Sequence, residues 1–125
     1  MAASTKITVL GAGSYGTALA ICLARNGHET ILWARDKTQA GLLSKERENT
    51  KYLSGCPFPE ALSVTDNLSA AVSATENILV VVPSHAFGHM LAQMKPFLLT
   101  HAKVAWATKG LDPDTGDLLQ KVATD

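Results

Sequence analysis

A chain of 125 residues has room for a single hydrophobic core and none for a separate substrate domain. Eleven basic side chains balance eleven acidic ones, which removes the electrostatic case for nucleic acid or an anionic membrane as partner. No apolar stretch approaches the length that inserts across a bilayer, and residues 1–5 are too short and too polar for a signal peptide. Cys22 and Cys56 lack metal-site spacing and read as buried or incidental thiols of a reducing, cytoplasmic compartment.

The first strand is the apolar run Ile7-Thr8-Val9-Leu10. Gly11-Ala12-Gly13-Ser14-Tyr15-Gly16 follows directly and leads into a run of helix formers. Strand, glycine turn and helix in that order are the sequence form of a dinucleotide-binding crevice. Gly11 takes the tight turn, Gly13 lets the backbone come close to a pyrophosphate, and Gly16 lets the helix pack against the sheet. The helix N-terminus then points unpaired N–H groups and a partial positive charge at the phosphates. A glycine-rich turn without a ligand is the competing reading, and the placement between this strand and this helix disfavours it. Tyr15, Ala18, Leu19, Cys22 and Leu23 repeat with helical spacing, and Asn26-Gly27 supplies the stop.

Thr30-Ile31-Leu32-Trp33-Ala34 reads as the second strand, and Asp36 caps a polar helix running to Glu48. Residues 49–62 are irregular, with Gly55, Pro57 and Pro59, before a short third strand at Ser63-Val64-Thr65. Asp66 or Asn67 caps a small helix carrying Leu68, Ala71 and Val72. Ile78-Leu79-Val80-Val81-Val82 has no alternation, as suits a strand buried on both faces of a parallel sheet. Pro83 ends it. A helix through Phe87, Leu91 and Met94 stops near Pro96, and Val104-Ala105-Trp106-Ala107 is the fifth strand. Strands separated by helices, joined by right-handed crossovers, give an α/β fold: a doubly wound, Rossmann-type, mostly parallel sheet of order 3-2-1-4-5. Leu118, Leu119 and Val122 begin an apolar face with no sixth strand after it. Residues 1–125 therefore read as a dinucleotide-binding domain cut from a two-domain protein before its last strands, with a naturally short domain as the alternative.

Ligands of such sheets bind at the carboxyl ends of the strands, where four further places stand. At Ala34-Arg35-Asp36 the small Ala34 replaces the acidic residue that would hold a ribose and repel a 2′-phosphate. Arg35 can fork onto that phosphate, which favours NADP, or pair with Asp36 at the surface. At Pro83-Ser84-His85-Ala86-Phe87, Pro83 fixes the turn. Phe87 either lies against a nicotinamide or belongs to the core, and His85 reads as a capping or surface residue rather than a proton donor. At Thr108-Lys109-Gly110 the ammonium of Lys109 projects towards the crevice, where it would hold a substrate oxygen or bridge substrate and cofactor. Asn49-Thr50-Lys51-Tyr52-Leu53 reads first as a surface connection and second as a loop ordered over the cofactor.

Gly11-Ala12-Gly13-Ser14-Tyr15-Gly16-Thr17-Ala18-Leu19-Ala20, Leu32-Trp33-Ala34-Arg35, Val82-Pro83-Ser84-His85-Ala86 and Ala107-Thr108-Lys109-Gly110-Leu111 occur in this order. Together they closely resemble the bacterial-type NAD(P)-dependent glycerol-3-phosphate dehydrogenases. The resemblance implies an oxidoreductase that interconverts sn-glycerol 3-phosphate and dihydroxyacetone phosphate with NAD or NADP, for phospholipid synthesis. It implies that Ser14, Tyr15, Arg35 and Lys109 contact the dinucleotide, with Lys109 also reaching the phosphorylated substrate. It further implies a following all-helical domain that supplies a lysine general acid/base, so that this chain alone carries no catalytic residue, and a homodimer as the full-length assembly. A stand-alone nucleotide-binding regulatory module is one alternative. A dehydrogenase of another small phosphorylated or carboxylated substrate is another.

Overall fold

The structure, a computed structural model, describes residues 6–50, 55–82 and 84–106, with the side chains of residues 84, 85 and 87 outside that description. Strands β1 (Lys6–Leu10), β2 (Glu29–Trp33), β3 (Leu62–Thr65), β4 (Asn77–Val80) and β5 (Lys103–Trp106) form one sheet of order β3-β2-β1-β4-β5. All four pairings are parallel. Helices α1 (Ser14–Arg25), α2 (Lys37–Glu46), α3 (Leu68–Ser73) and α4 (Ser84–Met94) make the crossovers, and a short 3-10 turn, Lys95–Phe97, contains Pro96 and ends the last of them.

The core lies in two layers, one on each face of the sheet. Val9 and Leu32 pack with Ala20, Ile21, Ala24 and Leu43 of α1 and α2. Leu10, Trp33, Ile78 and Val80 pack with Ala71, Val72, Met90 and Met94 of α3 and α4. Successive residues of a strand point to opposite faces, so Val9 and Leu10 serve different layers. Two buried hydroxyls are paired within this frame. The Thr8 hydroxyl donates to the Ala71 carbonyl at 2.7 Å and that of Thr75 to the Lys6 carbonyl at 2.7 Å, which spares each the desolvation cost of an unmade bond.

Local chemistry accounts for the helix ends. Gly27 adopts φ +89°, its N–H bonding the Ala24 carbonyl at 3.1 Å while that of His28 reaches Leu23 at 3.2 Å, a Schellman stop. The Asp36 carboxylate caps α2 through the Thr38 N–H at 2.9 Å, and Asn67 caps α3 through the Ala70 N–H at 3.1 Å. Helix α2 ends at Glu46 rather than Glu48 because Arg47 turns left-handed, φ 56°. That conformation is costly for a residue with a side chain. Here the Arg47 guanidinium donates to the carbonyls of Leu62 at 2.7 Å and Pro59 at 2.8 Å and lies over the Phe58 ring.

Two readings of the sequence need correction, the buried face of α1 and the cover of β4. The buried face of α1 is Gly16, Thr17, Ala20, Ile21 and Ala24, and the stripe through Tyr15, Ala18 and Cys22 is exposed. Small residues face the sheet because the glycine turn delivers the helix close to it. Cys22 is therefore exposed and Cys56 half-buried, both as free thiols. Strand β4 is fully buried on one face only, through Ile78 and Val80, because α1 lies over β1, β2 and β3 and leaves Leu79 half-covered. On α4, Met90 and Met94 are the buried pair, with Leu91 half-buried.

Candidate functional site

The order of the sheet places its switch point between β1 and β4, whose chains leave in opposite directions towards α1 and α4. A crevice opens there at the strand ends. The glycine turn is held on both sides. The Gly11 N–H continues the ladder to Trp33 at 3.1 Å, and the Val81 N–H bonds Leu10 at 2.8 Å. Gly11 has φ +121°, and a Cβ there would stand 2.0 Å from the Val81 carbonyl oxygen. A Cβ on Gly16 would stand 2.0 Å from the Gly11 carbonyl oxygen, so this glycine seats the helix against its own loop, with Val81 just beyond.

Gly13 is different in kind. Its backbone is extended, and an added Cβ would meet nothing within 4 Å. The fold thus requires Gly11 and Gly16, whereas no described part of the protein requires Gly13. A ligand backbone lying against the loop would.

Helix α1 also differs from α2 and α3 at its start. α2 and α3 carry side-chain caps, but Gly13, at the N-cap of α1, provides none. Its N-terminal N–H groups and the positive end of its dipole are suited to an anion.

A cleft of about 360 Å³ adjoins this loop. Gly11, Ala12 and Gly13 form one wall, Trp33 and Arg35 come from the end of β2, Gln39 from α2, Val81 and Val82 from the end of β4, and Ala86, His89, Met90 and Gln93 from α4. Ser14 and Tyr15 stand exposed on the first turn of α1, and Gly16 is buried beneath the loop. Arg35 is exposed at the cleft, while its neighbour Asp36 is committed to capping α2. Pro83, the side chain of Phe87, and Lys109 lie outside the described residues.

The irregular segment after α2 is more than a surface connection. Asn49 is 1% exposed, and its Nδ2 donates to the Ala12 carbonyl and to Thr17 Oγ1, each at 2.9 Å. Gln39 Nε2 donates to the same Ala12 carbonyl at 3.2 Å. No local pattern marks these residues. Both are polar positions of an unremarkable stretch, and only the return of α2 past the glycine loop brings them to it. His89 and Gln93 escaped notice too, although Ala86, Met90 and Gln93 already share a helical spacing.

The sequence matches the model of a family described as NAD-dependent glycerol-3-phosphate dehydrogenase N-terminus over residues 6–125. The chain belongs to that family. Two curated relatives of the glycerol-3-phosphate dehydrogenase N-terminal family are both named glycerol-3-phosphate dehydrogenase, NAD(P)+. The protein from Colwellia psychrerythraea is 65% identical over 123 residues, covering 98% of this chain and 37% of the relative. That from Pseudoalteromonas translucida is 59% identical over 121 residues, covering 97% and 36%. A crystal structure of glycerol-3-phosphate dehydrogenase from Coxiella burnetii superposes with a TM-score of 0.91 at 40% identity, covering 97% of this chain and 37% of that one. The chain thus spans little more than a third of the length of the curated relatives it matches. Among the described residues, no helix is long and apolar enough to cross a membrane.

Proposed function

We propose that this chain is the dinucleotide-binding domain of an oxidoreductase that interconverts sn-glycerol 3-phosphate and dihydroxyacetone phosphate with NAD or NADP, in the cytoplasm and for phospholipid synthesis. The observation that carries the reading is the cleft at the switch point, which brings together the uncapped start of α1, the open Gly13 and Arg35. Family membership supplies the chemistry to go with it. Gly13, Ser14 and Tyr15 would present backbone N–H groups to the pyrophosphate, and Arg35 would meet the adenosine end, forking onto a 2′-phosphate where one is present. Gly11 and Gly16 serve indirectly by shaping the loop. Pro83 and Phe87 belong to the nicotinamide end in this reading.

The bound dinucleotide supplies the hydride. The chain's own work is to hold and orient it, and to place Lys109 beside the reacting end of the phosphorylated substrate, where an ammonium stabilises charge on the substrate oxygen. The proton for the developing alkoxide comes, in this proposal, from a lysine of a following helical domain, and the complete protein is a homodimer. Titration of the chain with NADPH, followed by calorimetry, tests the cofactor site. Saturable binding is expected, and its absence at millimolar cofactor overturns the proposal.

A further inference from the structure

We infer that Asn49 is a positioning residue of the phosphate-binding loop: it holds the Ala12 carbonyl so that the Gly13 N–H is aimed at the dinucleotide's pyrophosphate before the ligand arrives. This rests on the dinucleotide reading above. The Ala12–Gly13 peptide is trans, there being no cis bonds among the described residues. In a trans planar unit the carbonyl and the following N–H point in opposite directions. Fixing one therefore aims the other. The Ala12 carbonyl is fixed twice, by Asn49 at 2.9 Å and by Gln39 at 3.2 Å. Because a carbonyl can only accept, the Asn49 amide orientation is settled as well.

The second hydrogen of the same amide goes to Thr17 Oγ1, in the first turn of α1. One buried side chain thus couples the loop before the helix to the helix itself, the two pieces of backbone that face an anion. Asn49 is held in turn by the segment around it. Arg47 ties this segment to the carbonyls of Pro59 and Leu62, and the Phe58 N–H bonds the Arg47 carbonyl at 2.7 Å. Such a site costs no loop reorganisation on binding, which is where preorganised donors gain their affinity.

The test is made in the complete polypeptide that carries this domain. Asn49→Asp keeps the shape and replaces the donating amide by an acceptor, and Gln39→Leu removes the second donor from a half-buried position where folding is little at risk. Asn49→Asp should weaken NADPH by roughly tenfold or more and Gln39→Leu by several-fold. The cofactor KM should rise with kcat at saturation unchanged. Adenosine 2′-monophosphate, which has no pyrophosphate, should bind both variants as it binds the parent. Parent-like NADPH affinity in both variants overturns the inference and leaves the dinucleotide reading standing. So does an equal loss for NADPH and adenosine 2′-monophosphate, which reduces Asn49 to general support of the site. Failure of the unsubstituted protein to bind NADPH overturns both.

Discussion

At the scale of single residues, the three glycines of the loop separate by what each would collide with. A methyl group on Gly11 or Gly16 meets a backbone carbonyl at 2.0 Å. Gly11→Ala and Gly16→Ala should therefore lower stability by about 2–4 kcal/mol, read from denaturant unfolding. Gly13→Val should abolish NADPH binding while costing only the N-cap preference of glycine over valine, about 1 kcal/mol of stability, since an added Cβ there meets no described protein atom within 4 Å. A parent-like affinity in that variant would remove the phosphate from this loop. Arg35 stands exposed at the cleft with Asp36 turned to α2. Arg35→Asp should weaken NADPH relative to NADH by roughly 1–3 kcal/mol, measured as the difference between two titrations. Equal losses would put the guanidinium on the adenine instead.

At the scale of elements, the helices divide by how their N-termini are completed. α2 and α3 are closed by their own sequence, through Asp36 and Asn67. Asp36→Ala and Asn67→Ala should each cost about 1 kcal/mol in unfolding free energy. Asn67→Ala should leave NADPH affinity unchanged, since Asn67 does not line the cleft. α1 has no such cap. Stability and binding are thus separable element by element. Of these three helices, the one without a side-chain cap begins at the cleft. The same division explains a misreading. The stripe Tyr15, Ala18, Leu19, Cys22 and Leu23 has helical spacing, but so does Thr17, Ala20, Ile21 and Ala24, and apolar periodicity alone does not choose between adjacent faces. The close approach imposed by the glycine turn does, by setting Gly16, Thr17 and Ala20 against the sheet, which turns Ile21 and Ala24 inward with them.

At the scale of the molecule, the two core layers meet the sheet from opposite sides, and the layer under α3 and α4 also floors the cleft through Trp33 and Met90. Met94, fully buried in that layer, sets its packing without lining the cleft. Met94→Ala should cost about 2–5 kcal/mol of stability by calorimetric unfolding. The proposed reaction needs more than this sheet. In the complete enzyme, Lys109→Met keeps the side-chain stem and loses the charge. It should lower kcat/KM while retaining most of the cofactor affinity. Normal kcat/KM in that variant would leave Lys109 an ordinary surface lysine.

The sequence by itself determined the architecture and the position of the crevice. The glycine turn between an apolar strand and a helix, the alternation of elements, and the caps at Asp36 and Asn67 are all written in contiguous residues, where spacing and turn chemistry act locally. The strand order 3-2-1-4-5 followed from them and is the order found. Tertiary structure alone decided which face of α1 is buried, how far β4 is covered, and that Asn49 and Gln39 reach the carbonyl of Ala12. The last of these depends on groups 27 and 37 positions apart in the chain meeting across a turn of the fold. No local periodicity encodes such a meeting, because a single long-range hydrogen bond leaves no repeat in the sequence on either side of it.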